Sequence, residues 1–277
     1  MAADYPQRVQ RLRESLAELD ELLVAYSGGV DSTVLLHASL AALGPRAVGV
    51  IADSPSLPRR ELEEALARAA EMGARVEVVR TAELENPSYR ANAGDRCYHC
   101  RTELFTVMRA LGLRFGGRTL VYGEITDDLL DDRPGARAAR ELGVRAPLRE
   151  AGLSKSDVRR YAREAGLAAA EKPASACLAS RLPRGTAVTR ARLVRIEAAE
   201  EAVRSLGFRV LRVRDHGARA RLEVGAGELA RARRLRAALE RALAAEGFAE
   251  LELAAYVPPG PAREARSGAV PAPPEPA

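Results

Sequence analysis

Short apolar runs alternate with amphipathic stretches through the first half of the chain. Leu22–Tyr26 is an apolar run of strand length ending in a glycine-rich turn, and Val30–Leu43 carries a helical period up to Gly44. Ala47–Ala52 predicts a second strand, Arg59–Gly73 an amphipathic helix stopped by Gly73, and Arg75–Val79 an alternating strand. Arg101–Leu111 is helical again, and Thr119–Tyr122 predicts another buried strand. Strands alternating with helices of this length imply an α/β fold, a parallel sheet covered on both faces. Ligands of such sheets sit beyond the carboxyl ends of the strands.

The rhythm then changes. Ser154–Gly166 predicts a helix with Ser154 as its cap, and Lys172–Gly185 is an irregular Pro/Ser/Gly segment. Thr189–Leu206 predicts a helix, Phe208–Arg214 and Arg219–Val224 strands flanking Asp215-His216-Gly217, Glu228–Glu246 one long helix and Glu250–Tyr256 a last strand. The expected organisation is a parallel-sheet domain over 1–170, a cysteine-bearing linker over 171–188 and a smaller α+β domain over 189–257. Residues 258–277 hold seven of the sixteen prolines and no apolar period, and are expected to be disordered. No internal repeat is visible.

Composition narrows the classes. With 277 residues, 47% of them hydrophobic, the chain can bury a sizeable core. Its apolar runs are too short for a membrane span, and the first twenty residues, rich in Arg, Glu and Asp, do not read as a secretion signal. Three cysteines argue against a disulfide framework and for a reducing, cytoplasmic setting. The net charge of +5 invites a nucleic-acid partner. Yet of 43 basic residues only Lys155 and Lys172 are lysine, as in a GC-rich coding bias, and aromatics are 4% of the chain without a tryptophan. Stacking platforms are therefore scarce, and solvated Arg/Glu helix faces account for the charge.

The sharpest motif is Ser27-Gly28-Gly29-Val30-Asp31-Ser32, set between a strand and a helix. Two glycines let the backbone turn tightly and aim its N–H groups at an anion; the helix dipole and two hydroxyls add to the field. The loop lacks the spacing and the Gly-Lys-Ser/Thr ending of a Walker A motif. It resembles the PP-loop of the N-type ATP pyrophosphatases, in which the loop grips the pyrophosphate of ATP. That resemblance implies adenylylation of a substrate oxygen with release of pyrophosphate.

Cys97-x-x-Cys100, with Cys177 a further 77 residues on, is compatible with a metal centre, a structural zinc site, a redox pair or inert thiols. His99, wedged between the first two, is poorly placed as a fourth zinc ligand. Further segments narrow the choice: Asp53-Ser54-Pro55-Ser56-Leu57-Pro58, Asp95-Arg96-Cys97, Gly123–Asp128, Asp132-Arg133-Pro134-Gly135, Cys177-Leu178-Ala179-Ser180-Arg181 and Arg212-Val213-Arg214-Asp215-His216-Gly217. In order and spacing, from about Leu16 to Tyr256, they resemble the LarE family, ATP-dependent sulfur transferases of nickel-pincer cofactor biosynthesis.

The resemblance implies that a carboxylate of pyridinium-3,5-biscarboxylic acid mononucleotide is adenylylated and that a sulfur nucleophile then displaces AMP. ATP and Mg2+ are the implied cofactors. In single-cysteine members the residue matching Cys177 gives up its own sulfur and becomes dehydroalanine. Three-cysteine members are thought to hold a 4Fe–4S cluster with one iron free of protein ligands, which makes Cys97, Cys100 and Cys177 the expected cluster ligands and catalytic residues. Ser27, Gly28, Gly29, Asp31 and Ser32, with Asp53 and Ser54 bordering the adenosine, are the expected ATP-binding set.

Arg212 and Arg214 sit two apart on a predicted strand, so both face one side, and forked guanidiniums suit a nucleotide phosphate. Ser180 and Arg181 are expected to join them. Asp128, in an acid-rich turn after the fourth strand, and Glu200 are the expected magnesium ligands; His216 receives no role. The family further implies a homo-oligomer such as a hexamer, an upstream carboxylase/hydrolase and a downstream nickel-inserting protein. A tRNA thiolase, which can also combine a PP-loop with Cys-x-x-Cys and a distant cysteine, is the nearest competing enzyme class. A non-catalytic nucleotide- or iron–sulfur-binding module is the alternative outside enzymes.

Overall fold

A computed structural model describes residues 4–130, 134–173 and 175–257. Helix α1 (Tyr5–Ala17) starts at Asp4, whose carboxylate accepts the Gln7 N–H while the Gln7 side chain accepts the Asp4 N–H. There follow β1 (Leu22–Ala25), α2 (Val30–Leu43), β2 (Ala47–Asp53), α3 (Arg59–Glu71) and β3 (Val76–Arg80). Next come α4 (Pro87–Ala91), α5 (Arg96–Arg114), β4 (Thr119–Tyr122), α6 (Pro134–Glu141), α7 (Pro147–Glu150) and α8 (Lys155–Glu164). The last part runs α9 (Arg190–Ser205), β5 (Leu211–His216), β6 (Arg219–Val224), α10 (Leu229–Arg234), α11 (Arg236–Ala245) and β7 (Glu250–Ala255).

The first sheet is parallel throughout, in the order β3-β2-β1-β4, with Leu23 of β1 level with Val48 of β2 and Leu120 of β4. Alternation along β1 feeds two cores. Leu22 and Val24 pack with Leu12 and Leu16 of α1, Val34 of α2 and Val158 of α8, whereas Leu23 packs with Phe105 and Met108 of α5 on the other face. This is why β1 reads as an unbroken apolar run. The second sheet, β5-β6-β7, pairs β5 with β6 antiparallel and β6 with β7 parallel. It has its own core, including Val203, Phe208, Leu222, Leu243 and Phe248. No helix among the described residues is long and apolar enough to cross a membrane.

Three expectations shift in detail. Helix α5 begins at Arg96 rather than Arg101, so Cys97 and Cys100 lie on its first turns. The single helix expected over Glu228–Glu246 is two, α10 and α11, meeting at Leu235. Strand β5 begins at Leu211, because Phe208 turns into the core ahead of the ladder. Asp132 and Arg133 of one family segment, and the tail 258–277, lie outside the described residues.

Candidate active site

The carboxyl ends of β1, β2 and β4 carry the motif loop, the Asp53–Pro58 segment and Gly123–Asp128 respectively. The motif loop is folded around Ser32. Its Oγ accepts the Ser27 N–H at 3.1 Å, lies 3.1 Å from the Ser27 Oγ and donates to the Gly29 carbonyl at 3.1 Å. Gly28 has φ +68°, and a Cβ there would stand 2.5 Å from the Ala65 Cβ of α3. Helix α3 is thus laid directly on the loop, a position open only to glycine. Gly29 caps α2 without any side-chain hydrogen bond, leaving the first-turn N–H groups uncapped by a side chain, the arrangement that receives anions. Gly123 closes in from β4, where a Cβ would lie 3.0 Å from the Ser32 nitrogen.

Asp31 is gripped by Lys155, whose Nζ lies 2.8 and 2.7 Å from its two carboxylate oxygens. Burial pushes the Asp31 carboxyl above its ordinary range; Lys155 opposes that shift and the charge of Asp128 adds to it. Asp127 accepts the Lys155 N–H at 2.8 Å, and Asp128 accepts that of Ile125 at 3.2 Å. Lys155 escaped the sequence reading as a site residue. The signal was present in its being one of two lysines among 43 basic residues.

Asp53 and Ser54, at the end of β2, are held by different partners. Asp53 is paired with Arg59, while buried Ser54 donates to Glu83 and accepts the Ser56 N–H at 3.0 Å. Glu83 is itself 1% exposed, with Oε2 unpartnered.

The three cysteines form no disulfide and come together from two parts of the chain. Cys97 is exposed on the first turn of α5. Cys100, one turn later, and Cys177 both pack on the apolar cluster of Tyr89, Leu178, Ala179 and Leu182. Enclosure pushes the Cys100 thiol well above its ordinary range, and the charges of Cys177, Glu83 and Cys97 push it further. Arg96 ties the start of α5 to this turn, donating to Asn92 at 2.6 Å and to the Ala179 carbonyl at 2.9 Å. His99 is occupied by Asp95 at 3.1 Å. Among the described residues no three His, Cys, Asp or Glu side chains gather as a metal-holding group.

Arg181 and Glu200 are both buried. Arg181, anticipated as a phosphate donor, is 2% exposed, and Glu200, anticipated on magnesium, is 1% exposed. They bind each other, with Nε–Oε1 at 2.8 Å and Nη2–Oε2 at 3.2 Å. Arg204 and the Val213 N–H also reach Glu200, at 3.3 and 3.1 Å. Both groups are spent inside the protein. Ser180 donates to the Cys177 carbonyl at 2.7 Å. Arg214 pairs with Glu223 at 2.8 Å and reaches the Ser180 carbonyl at 3.2 Å. Arg212 lies over the Tyr256 ring at 5.2 Å, its guanidinium shifted down by burial and by the neighbouring Arg181 charge. Ser180 and Arg214 therefore border the Cys177 turn, with Arg212 two residues before Arg214 on β5.

A parallel sheet with a Ser-Gly-Gly-Val-Asp-Ser loop between β1 and α2 defines a PP-loop type of α/β protein. No family model matches the chain. An uncharacterized protein of Synechocystis is 43% identical over 217 residues, 78% of this chain and 81% of that one. The pyridinium-3,5-bisthiocarboxylic acid mononucleotide synthase of Lactiplantibacillus plantarum is 36% identical over 211 residues, 76% of each chain. An uncharacterized protein of Methanocaldococcus jannaschii is 26% identical over 223 residues, 79% of this chain and 85% of that one. The chain belongs to the family of the pyridinium-3,5-bisthiocarboxylic acid mononucleotide synthase, the LarE family.

Proposed function

We propose that this chain is an ATP-dependent sulfur transferase that turns a carboxylate of pyridinium-3,5-biscarboxylic acid mononucleotide into a thiocarboxylate, in nickel-pincer cofactor biosynthesis. The observation that carries the reading is the 36% identity, over 76% of each chain, to a synthase of the bisthiocarboxylic acid mononucleotide. In the first step a substrate carboxylate oxygen bonds to the α-phosphorus of ATP and pyrophosphate leaves. In the second a sulfur nucleophile bonds to the acyl carbon, the C–O bond to AMP breaks, and AMP leaves with the electron pair. A free carboxylate resists such attack; the mixed anhydride carries a stabilised leaving group.

Each part of the site has a place in this scheme. The uncapped N–H groups at Gly29 and the Ser27 and Ser32 hydroxyls receive the pyrophosphate. Asp31 and Asp128 would hold magnesium, which screens the phosphate charge. Lys155, beside Asp31, would add a cationic donor for the phosphates. Asp53 and Ser54 shape the adenosine side through Arg59 and Glu83. Ser180, Arg212 and Arg214 hold the substrate phosphate beside Cys177.

The thiols fit an iron–sulfur cluster in kind: Cys100 lies within reach of the charges of Cys97 and Cys177, and Cys100 and Cys177 pack on one apolar cluster. Cys97, Cys100 and Cys177 would hold it, and it would supply transferable sulfide at an iron without a protein ligand. A second reading is favoured by a specific observation, that these side chains are not gathered as a metal group. In it Cys177 alone gives up its sulfur. The experiment is anaerobic turnover with ATP and the biscarboxylate mononucleotide, following AMP, pyrophosphate and the product mass. Iron and sulfide analysis accompanies it, with intact protein mass recorded before and after turnover. AMP, pyrophosphate and thiocarboxylate formation support the transferase, and their absence refutes it. Near four irons per chain would support the cluster. No iron, with Cys177 converted to dehydroalanine, would establish sacrificial donation.

A further inference from the structure

Three donors converge on the Cys177 carbonyl. The Cys177 carbonyl accepts from the Ser180 N–H at 2.9 Å, the Ser180 Oγ at 2.7 Å and Arg181 Nη1 at 3.0 Å. The same Nη1 donates to the Ala176 carbonyl at 2.6 Å. The other edge of the guanidinium is spent on Glu200, whose Oε1 also accepts the Val213 N–H of β5 at 3.1 Å. Val213 lies between Arg212 and Arg214, and Arg214 returns to the Ser180 carbonyl at 3.2 Å. The contacts close a ring from Cys177 through Arg181, Glu200 and β5 back to Ser180.

We propose that Arg181 and Glu200 are positioning residues that lock the Cys177 turn in register with β5, so that a substrate held on β5 presents its carboxylate at a fixed offset from the Cys177 sulfur. The proposal rests on, and deepens, the reading of Cys177 as the sulfur-handling residue. An ion pair serving stability alone is replaceable by apolar side chains of similar volume, because removing both charges removes their desolvation as well. This pair does more than neutralise itself. Arg181 spends a nitrogen on two backbone carbonyls at the cysteine, and Glu200 spends an oxygen on the β5 edge. Neither contact survives an apolar replacement.

The test separates the two roles in the full-length, cluster-free chain. Arg181→Met and Glu200→Leu are made singly and together, and iodoacetamide labelling of Cys177 and Cys100 is mapped by peptide mass beside thermal unfolding. Cys100, in the same apolar cluster but outside the ring, is the internal reference. The single variants are expected to unfold earlier. The double variant is expected to regain most of that stability while labelling of Cys177 relative to Cys100 stays raised about tenfold, the scale of a lost hydrogen bond to a charged group. A ratio that returns to the wild-type value in the double variant, or thiols that rise in step, overturns the proposal. Labelling does not depend on sulfur transfer, so this can fail while the transferase reading stands, and the reverse.

Discussion

Gly28→Ala is the sharpest test of how the loop is built. Two separate terms arise from one methyl group. Alanine at φ +68° sits in the left-handed region, at about 1–2 kcal/mol. Its Cβ would stand 2.5 Å from the Ala65 Cβ and 3.0 Å from the Ala65 Cα. Carbon atoms rest at about 3.5–4.0 Å, so α3 and the loop must part by roughly 1 Å. Overpacking of this kind adds about 1–3 kcal/mol. The total loss is about 2–5 kcal/mol.

Ala65→Gly isolates the second term. Alone it weakens α3 by about 1 kcal/mol. Combined with Gly28→Ala it removes the colliding carbon but leaves the backbone strain. Urea unfolding of the four chains gives the coupling, which is expected to favour the double variant by about 1–3 kcal/mol. Additivity within about 0.5 kcal/mol would refute the claim that α3 is laid directly on the loop. Pyrophosphate formation is expected to fall in Gly28→Ala and to recover in part in the double variant.

Other outcomes follow from the charges around the loop. Lys155→Met is expected to change stability by less than about 1 kcal/mol, since both partners remain partly solvated, and to lower pyrophosphate formation about a hundredfold; unaltered formation would remove Lys155 from the site. Asp31 is shifted upward, so its charge costs stability at neutral pH and that cost disappears on acidification. Asp31→Asn is therefore expected to unfold later than the parent at neutral pH, by a margin that shrinks as pH falls, measured as Tm against pH. Asp157 runs the other way. Burial works against its charge, but the Ser154 N–H and Arg8 outweigh it and hold the carboxyl below its ordinary range. Its contribution is complete above about pH 4 and lost as pH falls further, so Asp157→Asn should destabilise at neutral pH and match the parent in acid.

The parts legible in the sequence were those encoded locally. Strands β1, β2 and β4 read directly because most of their residues are buried, the edge strand β3 read by its alternation, and the motif loop read because its glycines and hydroxyls are adjacent. Helix boundaries were less visible: α1 carries only three buried residues amid charge, and the break at Leu235 interrupts no apolar pattern. Charged pairs were hidden altogether. Nothing near Arg181 announces that Glu200, nineteen residues on, consumes it. In a chain with 43 Lys and Arg against 38 Asp and Glu, spacing cannot distinguish a guanidinium facing a ligand from one facing a carboxylate. Lys155 shows the converse, a neighbour of the motif loop marked by composition and overlooked because it lies 124 residues from its partner.

The long sequence reach of the Cys177 turn also orders events during synthesis. Leu178 is bonded to Ser56, Ala179 to Arg96 across 83 residues, and Ser180 to Arg214, which is made later still. The strands of the parallel sheet are complete once Tyr122 has emerged, whereas the cysteine turn gains its last anchor only when β5 exists. Closing such distant contacts is slow, and domains made first fold first. The nascent protein is thus expected to form its parallel sheet before its third thiol has a fixed place, so whatever chemistry the cysteine turn performs belongs to the finished chain rather than to the ribosome-bound one.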